Sequence, residues 1–305
     1  MTNPRSERVR SVRALAGRSV RSRTGTFLAE GPQAVREAVA AHAAARASSG
    51  AAPGTGAVVH DLYVTAAAAA RYADVVDTAE RSGVRVVEVT DEVLAAMTDT
   101  VTPQGLLAVC PQRPARLDDV LADGPRLLAV LDRVRDPGNA GTVLRAADAA
   151  GADAVVLTAA SVDVHNPKVV RSTAGSLFHL PVVAGAGLEA LLDGLRAAGV
   201  QVLAADGTGE HDLDDLADAA ALAGSGPPAA GPDLRRPTAW LFGNEAQGLD
   251  DAGRAGADAV VRVPLHGRAE SLNLATAAVV CLYASARAQR RHPAAGPAPA
   301  GPSAG

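Results

Sequence analysis

The residues with the clearest chemical potential lie in three glycine-containing loops. These loops also carry amide, carboxylate and guanidinium side chains, and they read DRVRDPGNAGTVLRAADAAG from Asp132, FGNEAQGLD from Phe242 and PLHGRAESLN from Pro264. Glycine lets a backbone approach a ligand closely, and polar side chains can then orient that ligand. We interpret all three segments as candidate ligand-binding loops.

The third loop leads into an alanine-rich segment with helical periodicity. Ser271 is its predicted N-cap, and the apolar stripe that follows consists of Ala275, Val279, Leu282 and Ala286. A helix N-terminus has unpaired N–H groups and the positive end of the helix dipole, so it favours an anionic or carboxylate-bearing ligand. The alternative is an ordinary strand-to-helix connection, which is the default in a parallel sheet.

The elements that must position these loops form a predicted parallel sheet. Continuous apolar runs predict strands at 127–131, 154–157, 180–183, 200–204, 239–242 and 259–263, separated by helices or loops. In open α/β sheets, ligands bind at the carboxyl ends of the strands. The three loops follow strands of this set, so we expect them at that edge.

A smaller α/β unit precedes this sheet. Strands are predicted at 27–30, 58–64, 84–89 and 105–110, with helices between them and a loop at 47–56. The segment Pro111–Arg126 carries three prolines and is the best domain boundary. We therefore predict an α/β fold with domains at 1–112 and 127–290, joined by a linker at 113–126.

Composition limits the class of protein and of partner. The 305 residues carry a formal net charge of −4, but seven arginines and one glutamate lie within the first 25 residues, which predicts a basic N-terminal arm. The two cysteines, Cys110 and Cys281, lie far apart in apolar runs, and no histidine has ligand-like spacing, so we expect no metal. No apolar run reaches membrane-spanning length, and we expect a soluble cytoplasmic protein without a membrane partner.

Two segments look largely unstructured. Residues 206–237 begin with an acidic patch that has room for one or two helical turns, and we interpret them as an insertion or loop. Residues 291–305 have the composition of a disordered tail.

A nicotinamide-dependent oxidoreductase is the competing interpretation of this Rossmann-like pattern. The dinucleotide fingerprint G-x-G-x-x-G is missing from the first turn, where PGNAG supplies only Gly138 and Gly141. The turn DGTGEH at 206–211 mimics an acidic, glycine-rich cofactor turn, but an acidic and proline-rich region follows it instead of a long helix.

The three loops resemble the SpoU (TrmH-like) family of RNA ribose 2′-O-methyltransferases of the SPOUT superfamily. The resemblance lies in NAGTVLRAADAAGA at 139–152, LFGNEAQGL at 241–249 and VPLHGRAESLNLATA at 263–277, in the family's order. The first domain, with RSRTGTFLAEGP, resembles the L30e-like RNA-binding domain that often precedes it. The resemblance implies a deep trefoil knot in the C-terminal domain and a homodimer whose active site forms at the subunit interface.

The resemblance also implies a site for S-adenosyl-L-methionine. The implied cofactor-binding residues are Leu241, Gly243, Gly248, Val263, Leu265 and Leu272. The implied catalytic residues are Asn139, Arg145, Glu245, Ser271 and Asn273. Arginine is a poor general base because its pKa exceeds 12, so we expect Arg145 mainly to orient the 2′-hydroxyl and the adjacent phosphate.

RNA is the implied substrate. The predicted RNA-binding residues are Arg23, Lys168, Arg171 and Ser172, since positive side chains beside an active site can position phosphates. The L30e-like extension and the arginine-rich arm favour large-subunit ribosomal RNA over transfer RNA. Two alternatives remain open, a transfer RNA 2′-O-methyltransferase and a catalytically inactive RNA-binding relative.

Overall fold

The computed structural model describes residues 1–49, 56–223 and 231–292. Its N-terminal part contains strands β1 (Thr26–Glu30), β2 (Asp61–Thr65), β3 (Arg85–Val89) and β4 (Leu106–Pro111). The helices of this part are α1 (Glu7–Ala14), α2 (Arg18–Thr24), α3 (Pro32–Ser49), α4 (Ala66–Arg71), α5 (Ala73–Arg81) and α6 (Asp91–Met97). The strands form one mixed sheet in the order β1-β4-β2-β3, in which β4 is antiparallel to both neighbours.

The C-terminal part is built around a parallel sheet. Its strands are β5 (Leu127–Leu131), β6 (Ala154–Thr158), β7 (Val182–Ala186), β8 (Gln201–Ala205), β9 (His211–Asp212), β10 (Thr238–Phe242) and β11 (Ala259–Arg262). Its helices are α7 (Leu117–Ala122), α8 (Pro137–Ala150), α9 (Pro167–Ser172), α10 (Leu188–Ala197), α11 (Leu213–Leu222), α12 (Asp251–Gly256) and α13 (Leu274–Arg291). A 3₁₀ turn lies at Ser176–Phe178. The sheet order is β7-β6-β5-β10-β8-β11-β9, which confirms the predicted α/β architecture.

Helices cover both faces of the parallel sheet. One apolar cluster combines α8 and α13 with one face of β5 and β10, and another combines α7 and α10 with the opposite face. All residues of β5, β6 and β10 are therefore buried, as the continuous apolar runs predicted. Because β10 pairs directly with β5, the first two candidate loops leave the sheet side by side.

Several predicted boundaries shift for local reasons. The strand predicted at 180–183 begins at Val182, because Pro181 has no N–H to donate to a neighbouring strand. The strand predicted at 58–64 begins at Asp61. The predicted cap Ser271 is wrong, since α13 is capped by Asn273, whose side chain accepts from the N–H groups of Ala275 and Thr276.

The segments interpreted as linker and insertion contain regular structure. Residues 113–126 include α7, whose Val120 packs in the sheet core. Residues 206–237 include β9, which pairs with β11, and the ten-residue helix α11, which packs on α13. The apolar stripe of α11 that faces the core consists of Leu213, Leu216, Ala217 and Ala220. The predicted tail at 291–305 begins too early, since Arg291 belongs to α13, and residues 47–49 of the predicted loop at 47–56 belong to α3. Residues 293–305 and 50–55 lie outside the described residues.

The N-terminal arm is folded and partly buried. Its helices α1 and α2 precede β1, and Arg21 on α2 is only 2% exposed. The Arg21 guanidinium donates to the carbonyl oxygens of Leu15 and Ala16 and pairs with Asp163 at 2.6 Å. The basic arm predicted from composition therefore includes a structural arginine that joins the two parts of the chain. In the described part of the chain, no helix is long and apolar enough to cross a membrane.

We expect Arg21→Ala to lower the free energy of unfolding by about 3 kcal/mol, because removing one partner leaves the Asp163 carboxylate and two carbonyl groups without their buried donor. Urea denaturation monitored by circular dichroism measures this loss. The matched control is Arg18→Ala, which removes an exposed arginine of the same helix that has no side-chain partner among the described residues. A loss of similar size in both variants would contradict a structural role for the Arg21 pair.

Candidate functional site

The first loop leaves β5 and turns into α8. Asp136 caps this helix by accepting from the N–H of Asn139 at 2.7 Å, and Pro137 occupies the first helical position. Asn139 is therefore a residue of the first turn and not the cap. Gly141 packs against α9 so closely that an added Cβ would lie 2.5 Å from the Ser172 Cβ, so only glycine fits here.

The second loop is a tight turn after β10. Asn244 and Gly248 exchange two backbone hydrogen bonds, of 3.0 and 2.8 Å, that close the turn. An added Cβ at Gly243 would lie 2.3 Å from the Gly248 carbonyl carbon, and Gly248 itself has a φ of +66°. Both glycines are thus required by the backbone, and the turn exposes the side chain of Glu245 at its tip.

Three predicted catalytic residues from three separate loops meet in one hydrogen-bonded chain. The Asn273 side-chain amide donates to Asn139 Oδ1 at 3.0 Å. The Asn139 amide donates in turn to Glu245 Oε1 at 3.4 Å. The Glu245 carboxylate also accepts from the backbone N–H groups of Arg135 at 3.2 Å and Asp136 at 2.9 Å. We call this chain of three side chains the Asn139–Glu245–Asn273 network.

The hydrogen bonds in the network keep Glu245 ionised. Partial burial by itself would raise the pKa of the Glu245 carboxyl. The backbone N–H groups around the carboxylate and the Asn139 amide outweigh that effect and lower the pKa below its ordinary value. Glu245 is therefore a hydrogen-bond acceptor at neutral pH and unsuited to act as a general acid.

The predicted cofactor residues border an open stretch of backbone. Between Pro264 and Leu272, the third loop makes no backbone–backbone hydrogen bond with any described residue. Its N–H and C=O groups are available to a ligand, and the side chain of Leu265 is 41% exposed beside them. A polar ligand with an apolar ring system, such as S-adenosyl-L-methionine, fits this combination of free peptide groups and exposed apolar surface.

Val263 and Leu272 lie at the two ends of this open stretch, and both are partly buried. Leu241 differs from the other predicted cofactor residues. Its side chain is fully buried in the sheet core, and its backbone pairs with β5 on one side and β8 on the other. The structure therefore does not bring the Leu241 side chain to the loops.

Arg145 and Ser271 do not join the network. Arg145 lies on α8, six residues after Asn139, and its exposed guanidinium has no hydrogen bond or ion pair with a described residue. Ser271 is exposed and likewise has no side-chain partner among the described residues. Both side chains are free to contact a ligand or a second molecule.

The predicted RNA-binding residues divide into two groups. Arg23 and Lys168 are exposed, and their side chains have no partner in the described ranges. Arg171 instead forms an ion pair at 3.1 Å with Glu30, which is buried at the end of β1. The Ser172 hydroxyl donates within α9 to the Lys168 carbonyl. Arg171 is therefore partly engaged in the contact between α9 and β1, and its role in RNA binding stays a prediction.

A histidine that the sequence did not single out makes a second contact between the two parts. His179 lies 2.7 Å from Asp148 on α8 and 3.1 Å from Glu37 on α3. Partial burial lowers the pKa of His179, but the hydrogen bonds to both carboxylates outweigh it and raise the pKa above its ordinary value. No local pattern identifies this residue, because its two acidic partners are distant in sequence.

The sequence contains signals that could have identified two further residues of the loops, Asp136 and Asn244. The Asp-Pro pair at 136–137 is typical of a helix start, and it identifies Asp136 as the cap. Asn244 lies in a Gly-Asn turn, and its side-chain oxygen accepts from the N–H groups of Ala246 and Gln247. Among the described residues, no group of three or more histidine, cysteine, aspartate or glutamate side chains is arranged to hold a metal ion.

Comparison with known proteins identifies both parts of the chain. The family model described as SpoU rRNA Methylase family matches residues 126–283. A second model, described as MRM3-like substrate binding domain, matches residues 6–108. The chain is 33% identical over 279 residues to 23S rRNA (guanosine(2553)-2′-O)-methyltransferase RlmP of Bacillus subtilis strain 168, with 92% of this chain and 96% of that protein covered.

Solved structures agree with the sequence comparison. The fold is similar to that of an AdoMet-bound rRNA methyltransferase from Sinorhizobium meliloti, with a TM-score of 0.75, 31% identity and coverage of 94% of this chain and 97% of that one. It is also similar to the SpoU methyltransferase AviRb from Streptomyces viridochromogenes in complex with AdoMet, with a TM-score of 0.73, 30% identity and coverage of 94% and 99%.

These matches confirm the predicted family, enzyme class and cofactor, and they contradict the oxidoreductase alternative. The trefoil knot and the homodimer stay predictions. The chain belongs to the SpoU rRNA methylase family, and it is an RNA methyltransferase whose cofactor is S-adenosyl-L-methionine.

Proposed function

We propose that this protein methylates the 2′-hydroxyl of a ribose in large-subunit ribosomal RNA, in the cytoplasm. The observation that carries the proposal is the Asn139–Glu245–Asn273 network, which joins the three loops that resemble the family's motifs. The named activity of the Bacillus subtilis relative, which covers nearly the whole chain, supports ribosomal RNA as the substrate. Methylation of transfer RNA is the alternative outcome of the test below.

The domains have separate proposed roles. Residues 1–112 would bind RNA and residues 127–290 would bind the cofactor and carry out transfer, with 113–126 connecting them. The match of residues 6–108 to a substrate binding domain supports this division. Arg23 and Lys168 are the proposed phosphate contacts, because their charges are not engaged by described residues. Arg171 would contribute to RNA binding only by leaving Glu30.

The cofactor is proposed to lie between the second and third loops. Gly243 and Gly248 would let their peptide groups approach it, and Val263, Leu265 and Leu272 would border it. Leu241 would act only indirectly, as part of the strand that leads into the second loop. S-adenosyl-L-methionine supplies a methyl group activated by a positively charged sulfur. The protein must then hold the ribose oxygen in line with that methyl group and accept the hydroxyl proton.

Arg145 is the proposed catalytic residue that contacts the reacting ribose. Its guanidinium is exposed and unengaged, so it can donate to the 2′-hydroxyl oxygen and to the adjacent phosphate at once. Ser271 and Asn273 would contact the same nucleotide. Glu245 and Asn139 would act indirectly, by holding the loops at the correct spacing.

The active unit is proposed to be a homodimer with the site at the subunit interface. Helix α13 exposes apolar residues next to α11, namely Val279, Val280 and Tyr283, each between 37% and 44% exposed. They border a groove of about 570 Å³ between the two helices. Burial of this surface against a second copy would remove it from water. A knotted backbone is part of the same family-based proposal.

Purified protein incubated with S-adenosyl-L-methionine labelled on its methyl group should label 23S ribosomal RNA and leave bulk transfer RNA unlabelled. Resistance of the labelled linkage to alkaline hydrolysis identifies methylation of the ribose 2′-oxygen. Label in transfer RNA alone would contradict the ribosomal substrate. Cofactor binding without any labelling of RNA would contradict the catalytic proposal and favour an inactive RNA-binding relative.

Arg145→Ala should lower kcat by at least about 100-fold while cofactor affinity changes little, since general acid–base and positioning groups contribute on this scale. Steady-state transfer at saturating substrates measures kcat, and isothermal titration measures affinity. Arg287 is also exposed, but it borders the groove between α11 and α13, so Arg287→Ala is not a suitable control. Arg116→Ala is the matched control, as Arg116 is 74% exposed in the connecting segment. Near-normal turnover in Arg145→Ala would remove this residue from the mechanism.

Glu245→Gln should reduce methyl transfer at least about tenfold, because the amide of glutamine cannot accept at both oxygens and would oppose one backbone N–H. Because the pKa of Glu245 is lowered, its carboxylate is ionised and the network is intact at any pH above the ordinary glutamate pKa. The network is lost only as the pH falls through the lowered pKa. The melting temperature of the parent protein, measured as a function of pH, should therefore fall at acidic pH. Glu245→Gln should lack this fall. Glu189→Gln, an exposed position on α10, should behave as the parent, and equal profiles in all three proteins would refute the role.

Val280→Glu should convert the dimer to a monomer, because it places a charge in the centre of the apolar surface of α13. Light scattering after size-exclusion chromatography measures the mass. Val101→Glu is the control, since Val101 is 98% exposed in the N-terminal part, and it should leave the mass unchanged. A monomeric parent protein with full activity would contradict an active site formed at the interface.

A further inference from the structure

Arg133 occupies an unusual place beside the cofactor loops. It is the second residue after β5, and its φ of +54° lies in the left-handed region that residues with a Cβ rarely adopt. Such a conformation persists only where surrounding contacts determine it, and it is found preferentially at functional sites. The role proposed above for the network does not involve this residue.

The side chain of Arg133 connects two carboxylates. Its Nε donates to Asp132 Oδ2 at 3.0 Å, and its Nη1 lies 3.0 Å from Asp250 Oδ2. Asp132 is buried and also accepts from the Thr158 hydroxyl at 2.9 Å, so it forms a rigid attachment point. Asp250 follows the second loop directly and caps α12.

The backbone of Arg133 holds the middle of the same loop. Its carbonyl oxygen accepts from the Asn244 side-chain amide at 2.9 Å, and its N–H donates to the Thr158 hydroxyl at 3.1 Å. The N–H of Asp132 donates at 2.8 Å to the carbonyl of Phe242, where the loop begins. The pair Asp132–Arg133 thus contacts the start, the middle and the end of the turn from Phe242 to Asp250.

We propose that Arg133 is a positioning residue that holds the Gly243–Leu249 turn in its cofactor-binding shape before S-adenosyl-L-methionine arrives. This inference rests on the proposed placement of the cofactor at that turn. A turn that is ordered in advance loses little conformational entropy on binding, so the guanidinium contributes to cofactor affinity. It does not touch the reacting ribose, and the rate of transfer at saturating cofactor is independent of it.

The test compares Arg133→Gly, Arg133→Ala and Arg133→Lys in the full-length protein. Glycine adopts a φ of +54° without strain, so Arg133→Gly removes only the side chain and relieves strain at the backbone. We expect a loss of melting temperature smaller than that of Arg133→Ala, because the buried Asp132 carboxylate loses its cation but the backbone strain is relieved, while the dissociation constant for S-adenosyl-L-methionine rises by about tenfold or more, the scale of one lost charge-assisted contact. Isothermal titration and single-turnover transfer at saturating cofactor measure affinity and rate.

Arg133→Ala should lose the same affinity and also some stability, since alanine disfavours this backbone conformation. Arg133→Lys should recover part of the affinity, because one ammonium can reach one of the two carboxylates but cannot bridge both. In every variant, transfer at saturating cofactor should remain within about threefold of the parent, the result expected when binding of the ground state and of the transition state is weakened equally. Arg116→Ala serves again as the exposed control.

An affinity within twofold of the parent in both Arg133→Gly and Arg133→Ala would overturn the inference. A lowered transfer rate with unchanged affinity would overturn it as well, because Arg133 would then act on the reaction. Failure of the parent protein itself to bind S-adenosyl-L-methionine has a different meaning. That result would refute the proposed cofactor site and would not depend on Arg133.

Discussion

The side chain of Asn139 is the point on which the candidate site depends. It accepts from Asn273 through its oxygen and donates to Glu245 through its nitrogen, so one amide connects the loops that follow three different strands. A carboxylate can only accept, and a hydroxyl donates and accepts at a single atom, whereas an amide carries its acceptor and its donor on two atoms of one planar group. The backbone donors on Glu245 then fix this chain to the start of α8.

A second constraint comes from the close approach of backbones. Gly243 lies against Gly248 and Leu249, and Gly141 lies against α9, at distances that exclude a Cβ. The contacts at Gly243 close the second loop on itself, and those at Gly141 bring helix α8 close to α9. The functional polar groups are therefore presented by backbone that packing has already made rigid, which lowers the entropy lost when a ligand binds.

Charge in this protein is divided between folding and recognition. Three basic side chains pair with a carboxylate across the contact between the two parts of the chain. They belong to Arg21, Arg171 and His179. Arg145, Lys168 and Arg23 have no such partner among the described residues. The residues that remain free are the ones available to phosphate, and the paired ones keep the proposed RNA-binding part beside the methyltransferase part.

The sequence by itself determined the architecture, and it predicted the three residues that the fold joins in the candidate site. Continuous apolar runs predicted the buried parallel strands, and glycine with polar residues after three of them identified the loops that contain Asn139, Glu245 and Asn273. Those signals are local, because strand burial and helix capping depend on residues a few positions apart. The cap of α13 was misplaced by two residues, since Ser271 and Asn273 are both good caps and only the backbone path selects between them.

Tertiary structure decided what each charged residue does. Arg171 was predicted to bind RNA, and its ion pair with Glu30 could not be foreseen, because Glu30 lies 141 positions away in the chain and meets it only after folding. The same holds for Arg133 and Asp250, and for the packing of α11 on α13 inside a segment that composition described as a loop. Such contacts join elements that are distant in sequence, and no periodicity or spacing within a single segment records them.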